Sequence, residues 1–283
     1  MKPMKLANLT MQRITATIGV EVTGLDLAGP LAGADVRLLR DAVAEYHVVA
    51  VRDQFLSAEQ LATLAESFGE LLRSPLQRLT DKPAVSTIED TPERPPAGFA
   101  WHTDISWAAE LPSLGFLNAV SIPSFGGDTL WASTAAIYAR LSADERMRYD
   151  LLSAVHAPDA TLLASVARHH GPQVAERLRA AQRPREQPLV RTHRDTGRRS
   201  LFLSPLYMER IAGPAGAGGE LLGRLNAMLD DPNVQMRWRW RAGDLVIWDE
   251  TSTCHRALTD HYPQHRVVRR CVVRTGRGVG AQA

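Results

Sequence analysis

The amino-acid pattern predicts one mixed domain over residues 1–283, β-rich toward both ends and helical in the middle, whose distant strands pair in one sheet system. Three observations predict it. Short alternating or β-branched runs occupy the first fifty residues or so and return after Gln187. Helical spacing dominates from Thr134 to about Gln182. No internal repeat or low-complexity tract divides the chain, and 45% hydrophobic content in 283 residues is enough for a sizeable core.

Residues 14–26 alternate weakly and end in Gly24, which predicts a first strand and turn. Ala34 to Tyr46 carries Val36, Leu38, Leu39, Ala42 and Val43 at helical spacing, and HVVAVRD follows as a short strand. A second helix runs from Ser57 to Phe68, with Gln60 three residues after its capping serine. Arg73 to Gly98, rich in proline and charge, reads as a loop able to reach over a site. The helical middle breaks near His156–Asp159 and at Gly171-Pro172. Strands return at Gln187–Thr192 and Ser200–Ser204, joined by a hairpin turn at Asp195–Gly197. A helix near Gly219–Leu229 precedes two strand-like runs, MRWRWRAGDLVIWDE and RVVRRCVVRT. In the first, a period of two turns the tryptophans inward and leaves the arginines in water, which argues against base stacking.

Composition narrows the function classes. Thirty-three basic residues against 31 acidic ones leave a net charge of +2, too little for a nucleic-acid footprint. Cys254 and Cys271, both in strand-like contexts, predict no disulfide framework and fit a reducing compartment. The opening MKPMKLANLTMQRITATIG lacks the apolar core of a signal peptide, and no stretch is long and apolar enough to span a bilayer, so a cytoplasmic protein without a membrane partner is expected.

The stretch GFAWHTDISW sets His102 and Asp104 one residue apart among apolar and aromatic neighbours. On a strand, alternate side chains share a face, so imidazole and carboxylate can converge on one ion. The best third ligand is His255, which follows an apolar strand-like run in DLVIWDETSTCHRALTD. Two histidines and one carboxylate make the facial set associated with non-haem ferrous iron. The competing reading makes His102 and His255 ordinary hydrogen-bonded histidines of core or turn. A second match, His193-Arg194-Asp195, lies among turn residues and arginines and reads as a solvated hairpin; no kinase-like motifs accompany it. Cys254 faces away from His255 on an extended segment and reads as packing.

Taken in order, VVAVRDQ, FGEL, WHTD, GGDTLWAS, VRTH, VQMRWRWRAGDLVIWD and HRALTDHYPQHRVVRR resemble the iron(II)- and 2-oxoglutarate-dependent dioxygenases of the taurine dioxygenase/TfdA type along nearly the whole chain. The resemblance implies a mainly β fold with flanking helices, a double-stranded β-helix (a cupin-like jelly roll) with a helical insertion, which the raw patterning does not display. It implies His102, Asp104 and His255 as iron ligands, Arg266 and Thr129 as partners of the distal carboxylate of 2-oxoglutarate, and Arg270 as a contact for an acidic group of the substrate. No catalytic residue beyond the metal ligands is implied. The choice of arginine is chemically apt, because an unpaired buried carboxylate costs several kcal/mol and a planar guanidinium binds it bidentately. On a strand Arg266, Val268 and Arg270 share a face, while Arg269 points away.

The implied cofactors are Fe(II), 2-oxoglutarate as co-substrate and O2, with oxidative decarboxylation giving succinate, CO2 and oxidation of a substrate C–H bond. Ser74 and Gly98 stand where taurine-cleaving members carry polar substrate contacts, and Glu250-Thr251 replaces the usual residues after Trp248-Asp249, so taurine itself is not the expected substrate. Ile105, Trp107 and Tyr207 fall at the family's pocket wall. They suggest a small anionic organic substrate with apolar bulk, such as an alkyl sulfonate, sulfate ester, aryloxy acid or biosynthetic intermediate. Hydroxylation is expected because Asp104 keeps the carboxylate that related halogenases lack; desaturation or cyclisation by the same oxidant is an alternative. A zinc hydrolase would use the three ligands but gives Arg266 no purpose, and a non-catalytic jelly-roll binding module gives the ligands none. Relatives commonly form dimers or tetramers, so a homo-oligomer is expected.

Overall fold

A computed structural model describes residues 9–96, 100–213 and 218–275. Strand β1 (Thr10–Arg13), ahead of the predicted stretch, forms an antiparallel hairpin with β2 (Val20–Thr23), the strand expected within residues 14–26. Helix α1 (Gly33–Tyr46) buries Leu39, Ala42 and Val43, and β3 (Val48–Val51) follows, buried throughout. Helix α2 (Ala58–Glu66) opens on the expected capping box: Gln60 N donates to Ser57 Oγ, and Ser57 N donates to Gln60 Oε1.

The segment after Arg73 is not the single loop expected. After β4 (Glu70–Leu72), α3 (Pro75–Leu79) begins with a second capping box, Ser74 with Gln77, and β5 (Ser86–Asp90) pairs antiparallel with the last strand of the chain. The loop reading fails because α3 is one short turn and β5 is polar and largely exposed, so neither carries an apolar period. Gly98 lies outside the described residues.

Strands β6 (Leu114–Ser121) and β7 (Thr129–Ser133) lead into the helical middle: α4 (Thr134–Arg140), α5 (Ala143–Tyr149), β8 (Ser153–His156), α6 (Ala160–His170) and α7 (Pro172–Ala181). The expected strand at Gln187–Thr192 divides into β9 (Arg185–Pro188), which pairs with β8, and β10 (Val190–Thr192), which forms a hairpin with β11 (Arg199–Leu201). Leu189 between them is buried and donates its N–H to Leu152 O, which breaks the run. Next come β12 (Met208–Ala212), α8 (Gly218–Leu229), β13 (Gln235–Trp238), β14 (Leu245–Asp249), β15 (Thr253–Ala257) and β16 (Arg266–Arg274).

Strands from both ends of the chain share one eight-stranded sheet, in the order β1-β2-β3-β14-β6-β16-β4 with β5 also on β16. A three-stranded sheet, β13-β7-β15, faces it. Alternation along each strand sorts the core into layers. Val49, Val51, Phe116, Leu245 and Ile247 pack outward with Leu39, Val43, Leu61 and Leu64 of α1 and α2. Val48, Ala50, Leu117, Val246 and Trp248 turn inward against Trp131, Met236 and Trp238 of the smaller sheet. Behind that sheet, Leu130, Ala132 and Cys254 pack with residues of α4 and α8. Trp131 and Trp248 are fully buried, their rings 5.8 Å apart, and truncating either costs about 3–5 kcal/mol. Both cysteines are free and buried. Among the described residues, no helix is long and apolar enough to cross a membrane.

His156, on β8, is fully buried; its Nδ1 lies 2.9 Å from Ser106 Oγ and its ring lies against Phe202. Burial, reinforced by Arg191, pushes it down to about 4, whereas the unfolded imidazole protonates near 6.5. The unfolded state therefore binds the proton first. Its effect on stability is nil above pH 6.5, grows as pH falls to about 4 by up to about 3 kcal/mol, and then levels off. Urea titrations at pH 7 and pH 4.5 are expected to show a smaller acid loss in His156→Gln than in the wild type.

Candidate metal centre and cavity

The site begins with a backbone pairing. His102 N donates to His255 O at 3.0 Å and His255 N returns a bond to His102 O at 2.8 Å, a single antiparallel bridge that ties the WHTD segment to β15. On the other edge of β15, His255 pairs with Trp131 of β7, whose indole belongs to the interior between the sheets. Cys254 takes the opposite face, as expected, and packs behind the smaller sheet. The bridge sets the two imidazoles side by side, ring centroids 4.2 Å apart.

Thr103 turns away and anchors the tripeptide. Its hydroxyl lies 2.8 Å from Leu203 O and 3.1 Å from Thr253 O, and its N–H donates to Ser204 Oγ. His102 and Asp104 are therefore left on the cavity side, although the segment is a bridge followed by a turn rather than the continuous strand expected. Ile105 carries the chain out of the site at φ 39°, a conformation that costs a β-branched residue about 1–3 kcal/mol. Glu250 supports the turn: Oε2 accepts the Asp104 N–H at 3.0 Å and Oε1 accepts the Trp248 indole N–H at 2.8 Å. Burial, with Asp249 adjacent, holds the Glu250 carboxyl well above its ordinary value.

Asp104 Oδ1 lies 3.6 Å from His102 Nε2 and 3.5 Å from His255 Nε2, and one ligand atom from each residue falls within 4.8 Å of the others. These three side chains, offering one ligand atom each, are the ones that would hold a metal ion. The electrostatics agree. Burial, aided by Arg270, pushes His102 down to about 4, and burial with His102 alongside pushes His255 well below its ordinary value. Both imidazoles are neutral at pH 7, the form that offers a lone pair. Nδ1 of His102 lies 3.1 Å from Ala100 O, an arrangement that directs Nε2 toward the cluster.

His102 and His255 line a cavity of about 300 Å³ that also reaches Thr129, Trp131, Trp248, Arg266 and Arg270. Arg270 meets the Asp104 carboxylate through Nη2, and enclosure pushes its guanidinium down to about 10. Arg266 is 5% exposed and is likewise lowered by burial, although Asp90 and Asp128 oppose the shift. Asp90 is its cross-strand partner on β5, with Oδ2 3.9 Å from Arg266 Nη1. Thr129 Oγ1 accepts the Trp240 indole N–H at 2.9 Å, leaving its own O–H free to donate. The segment ahead of Thr129 lies close against this end. Gly126, at φ 72°, has no room for a Cβ, which would stand 2.6 Å from His261 N.

The structure thus brings together His102, Asp104, His255, Thr129, Arg266 and Arg270. The remaining expected residues lie elsewhere. The Ser74 hydroxyl caps α3, accepting Gln77 N–H at 3.2 Å, and Ser74 does not line the cavity. Ile105, Trp107 and Tyr207 also do not line it; they pack in a neighbouring apolar cluster with α6 and α7, where the Tyr207 ring stands 6.2 Å from His102. Asp90 and His261, both buried beside Arg266, were missed. Asp90 was hidden in a segment read as a loop, and the only sign of His261 was an imidazole five residues before a candidate anion-binding arginine.

Comparison with known proteins matches residues 10–272 to the family model described as taurine catabolism dioxygenase TauD, TfdA family. The chain is 32% identical over 270 residues to an alkylsulfatase of Acinetobacter baylyi, covering 93% of this chain and 84% of that protein. It is also 32% identical over 268 residues to an alpha-ketoglutarate-dependent sulfate ester dioxygenase of Pseudomonas putida, covering 93% and 88%. A crystal structure of a taurine dioxygenase from Burkholderia xenovorans superposes with a TM-score of 0.80 at 30% identity, covering 96% of this chain and 93% of that one.

The packing at Gly126 yields a test independent of ligand. Gly126→Ala combines a left-handed backbone with a clash against main chain, so a loss of about 1–3 kcal/mol is expected in urea titration of the metal-free protein.

Proposed function

The chain belongs to the taurine catabolism dioxygenase TauD, TfdA family, and from that premise we propose that it uses Fe(II), 2-oxoglutarate and O2 to oxidise a C–H bond of a small anionic organic substrate. The observation that carries this reading is the junction of two neutral imidazoles and a carboxylate, within 4.8 Å of one another, with a cavity that holds a deeply buried arginine. His102, Asp104 and His255 hold the iron, and Arg266 with the Thr129 hydroxyl receives the far carboxylate of the keto acid. When bound, the iron and keto acid supply the oxidation, with 2-oxoglutarate and O2 consumed and succinate and CO2 released.

The protein's own residues bind, orient and exclude water. Burial of Arg266 removes competing solvent, so the guanidinium binds a carboxylate more strongly than at a surface. Trp131 and Trp248 flank His255, with ring centroids 6.5 and 5.1 Å away, and keep the ligand side of the cavity apolar. Arg270, 28% exposed along its side chain, is the handle for the substrate anion. The relatives named for alkyl sulfates and sulfate esters support an organic sulfate or sulfonate, and an aryloxy acid or biosynthetic intermediate presents the same kind of anion. Hydroxylation is the expected outcome, with Asp104 completing the ligand set. The two facing sheets support reading residues 1–283 as one domain with a double-stranded β-helix core, and a cytoplasmic homo-oligomer belongs to the same reading.

Two substitutions separate the roles. His102→Ala is expected to abolish iron-dependent consumption of 2-oxoglutarate and stoichiometric metal binding by calorimetry. Arg266→Ala is expected to leave metal binding intact and raise the 2-oxoglutarate concentration needed for half-maximal turnover by at least about tenfold, the effect of losing a charge-assisted bond. Unchanged behaviour in either variant removes the role assigned to that residue.

A further inference from the structure

Beside Arg266, in the cavity lining, stands an imidazole to which the proposed function assigns nothing. His261 is 1% exposed, lines the cavity, and makes no hydrogen bond through either ring nitrogen. Such a group is uncommon in a protein interior, because a buried donor or acceptor without a partner forfeits the hydrogen bonds it made to water. Its Nε2 lies 3.2 Å from Asp90 Oδ2, close enough for an ion pair but not aligned for a hydrogen bond. Arg266 Nη1 lies 3.9 Å from the same oxygen.

The backbone holds both side chains to one place. Asp90 is the cross-strand partner of Arg266. A Cβ on Gly127 would come within 3.2 Å of both His261 Nδ1 and Arg266 Nε, so this glycine leaves room for the two side chains together. Gly127 N–H also donates to Asp260 Oδ1 at 2.9 Å, fixing the residue before His261. Arg266 Nε makes no hydrogen bond either. A buried guanidinium and a buried imidazole with unused donors therefore stand side by side in the lining of the cavity that His102 and His255 also line.

Resting on the function proposed above, we propose that His261 is a recognition residue for the distal carboxylate of the keto acid. A ring N–H of His261 donates to that carboxylate alongside Arg266 and the Thr129 hydroxyl, and Asp90, which lines the same cavity, orients both nitrogen-bearing side chains through its Oδ2. The site then selects a keto acid that carries a second carboxylate, because a neutral terminus leaves three buried donors unpaired.

Calorimetric titration of the Mn(II)-loaded protein with 2-oxoglutarate, and with 2-oxopentanoate, which has a methyl group in place of the distal carboxylate, tests this without turnover. His261→Phe is expected to weaken 2-oxoglutarate binding about ten- to a hundredfold and to leave 2-oxopentanoate binding unchanged. His261→Leu repeats the test if the Phe variant does not fold, and His261→Gln, which keeps an N–H, is expected to restore most of the affinity. Unchanged 2-oxoglutarate affinity in the Phe or Leu variant, or an equal loss for both keto acids, overturns the proposal in favour of a purely structural histidine. A wild-type protein that binds 2-oxoglutarate no better than 2-oxopentanoate, and is indifferent to Arg266→Ala, overturns the underlying functional reading as well.

Discussion

The whole site hangs on two main-chain hydrogen bonds between His102 and His255, residues that more than half the chain separates. Because backbone sets the distance between the imidazoles, side-chain rotamers alone remain to be fixed, and neighbouring groups fix them. Thr103 holds the segment from behind through two carbonyls and a serine, and Glu250 catches the Asp104 amide where the chain turns away. A ligand set built this way is largely organised before any ion arrives, so little ordering entropy is lost on binding. Glu250 is a costly support, since burial, with Asp249 beside it, holds its carboxyl well above the ordinary value, yet it satisfies two donors at once.

The second constraint is the pitch of a strand. Arg266 and Arg270 share a face of β16 with Val268 between them, so the two guanidiniums are separated by four strand residues, about 13 Å along the backbone. That separation sends one arginine toward Asp104 and the other toward Asp90. Each cation has an acid nearby, which offsets part of the cost of taking two guanidiniums out of bulk water. Arg269 faces the other way and spends its charge on Leu56 O. One strand thus places two guanidiniums in the lining of one cavity.

Much of this was legible in the sequence, and the exceptions have separate physical causes. Helices α1 and α2 announce themselves through apolar spacing and the Ser57–Gln60 box, and β3 through an unbroken β-branched run. The three ligands stand out because a histidine and an aspartate sit one residue apart inside an aromatic stretch and His255 follows an apolar strand-like run, and the family resemblance added Thr129, Arg266 and Arg270. Strand β5 was not legible, because Ser-Thr-Ile-Glu-Asp is polar and its order comes from pairing with β16, almost two hundred residues away. Ser74 opens a helix, since Ser-Pro-Leu-Gln is a helix-opening signature and its hydroxyl accepts the Gln77 N–H there. Asp90 and His261 acquire meaning only when β5 and β16 are laid side by side, which no local pattern reveals. Ile105, Trp107 and Tyr207 cluster together as bulky groups should, but around α6 and α7 rather than on the cavity wall.

The order of strands in the large sheet also governs how the molecule emerges from a ribosome. The N-terminal β1–β3 unit sits against β14, and β4, β5 and β6 all wait for β16. No early segment can finish its sheet until the last strands are made, so the nascent chain must hold apolar edges unpaired through most of its synthesis. His255, Arg266 and Arg270 leave the tunnel with those closing strands. Oxidative chemistry therefore cannot begin on a half-made chain, because His255 and both cavity arginines arrive only with the strands that close the sheets.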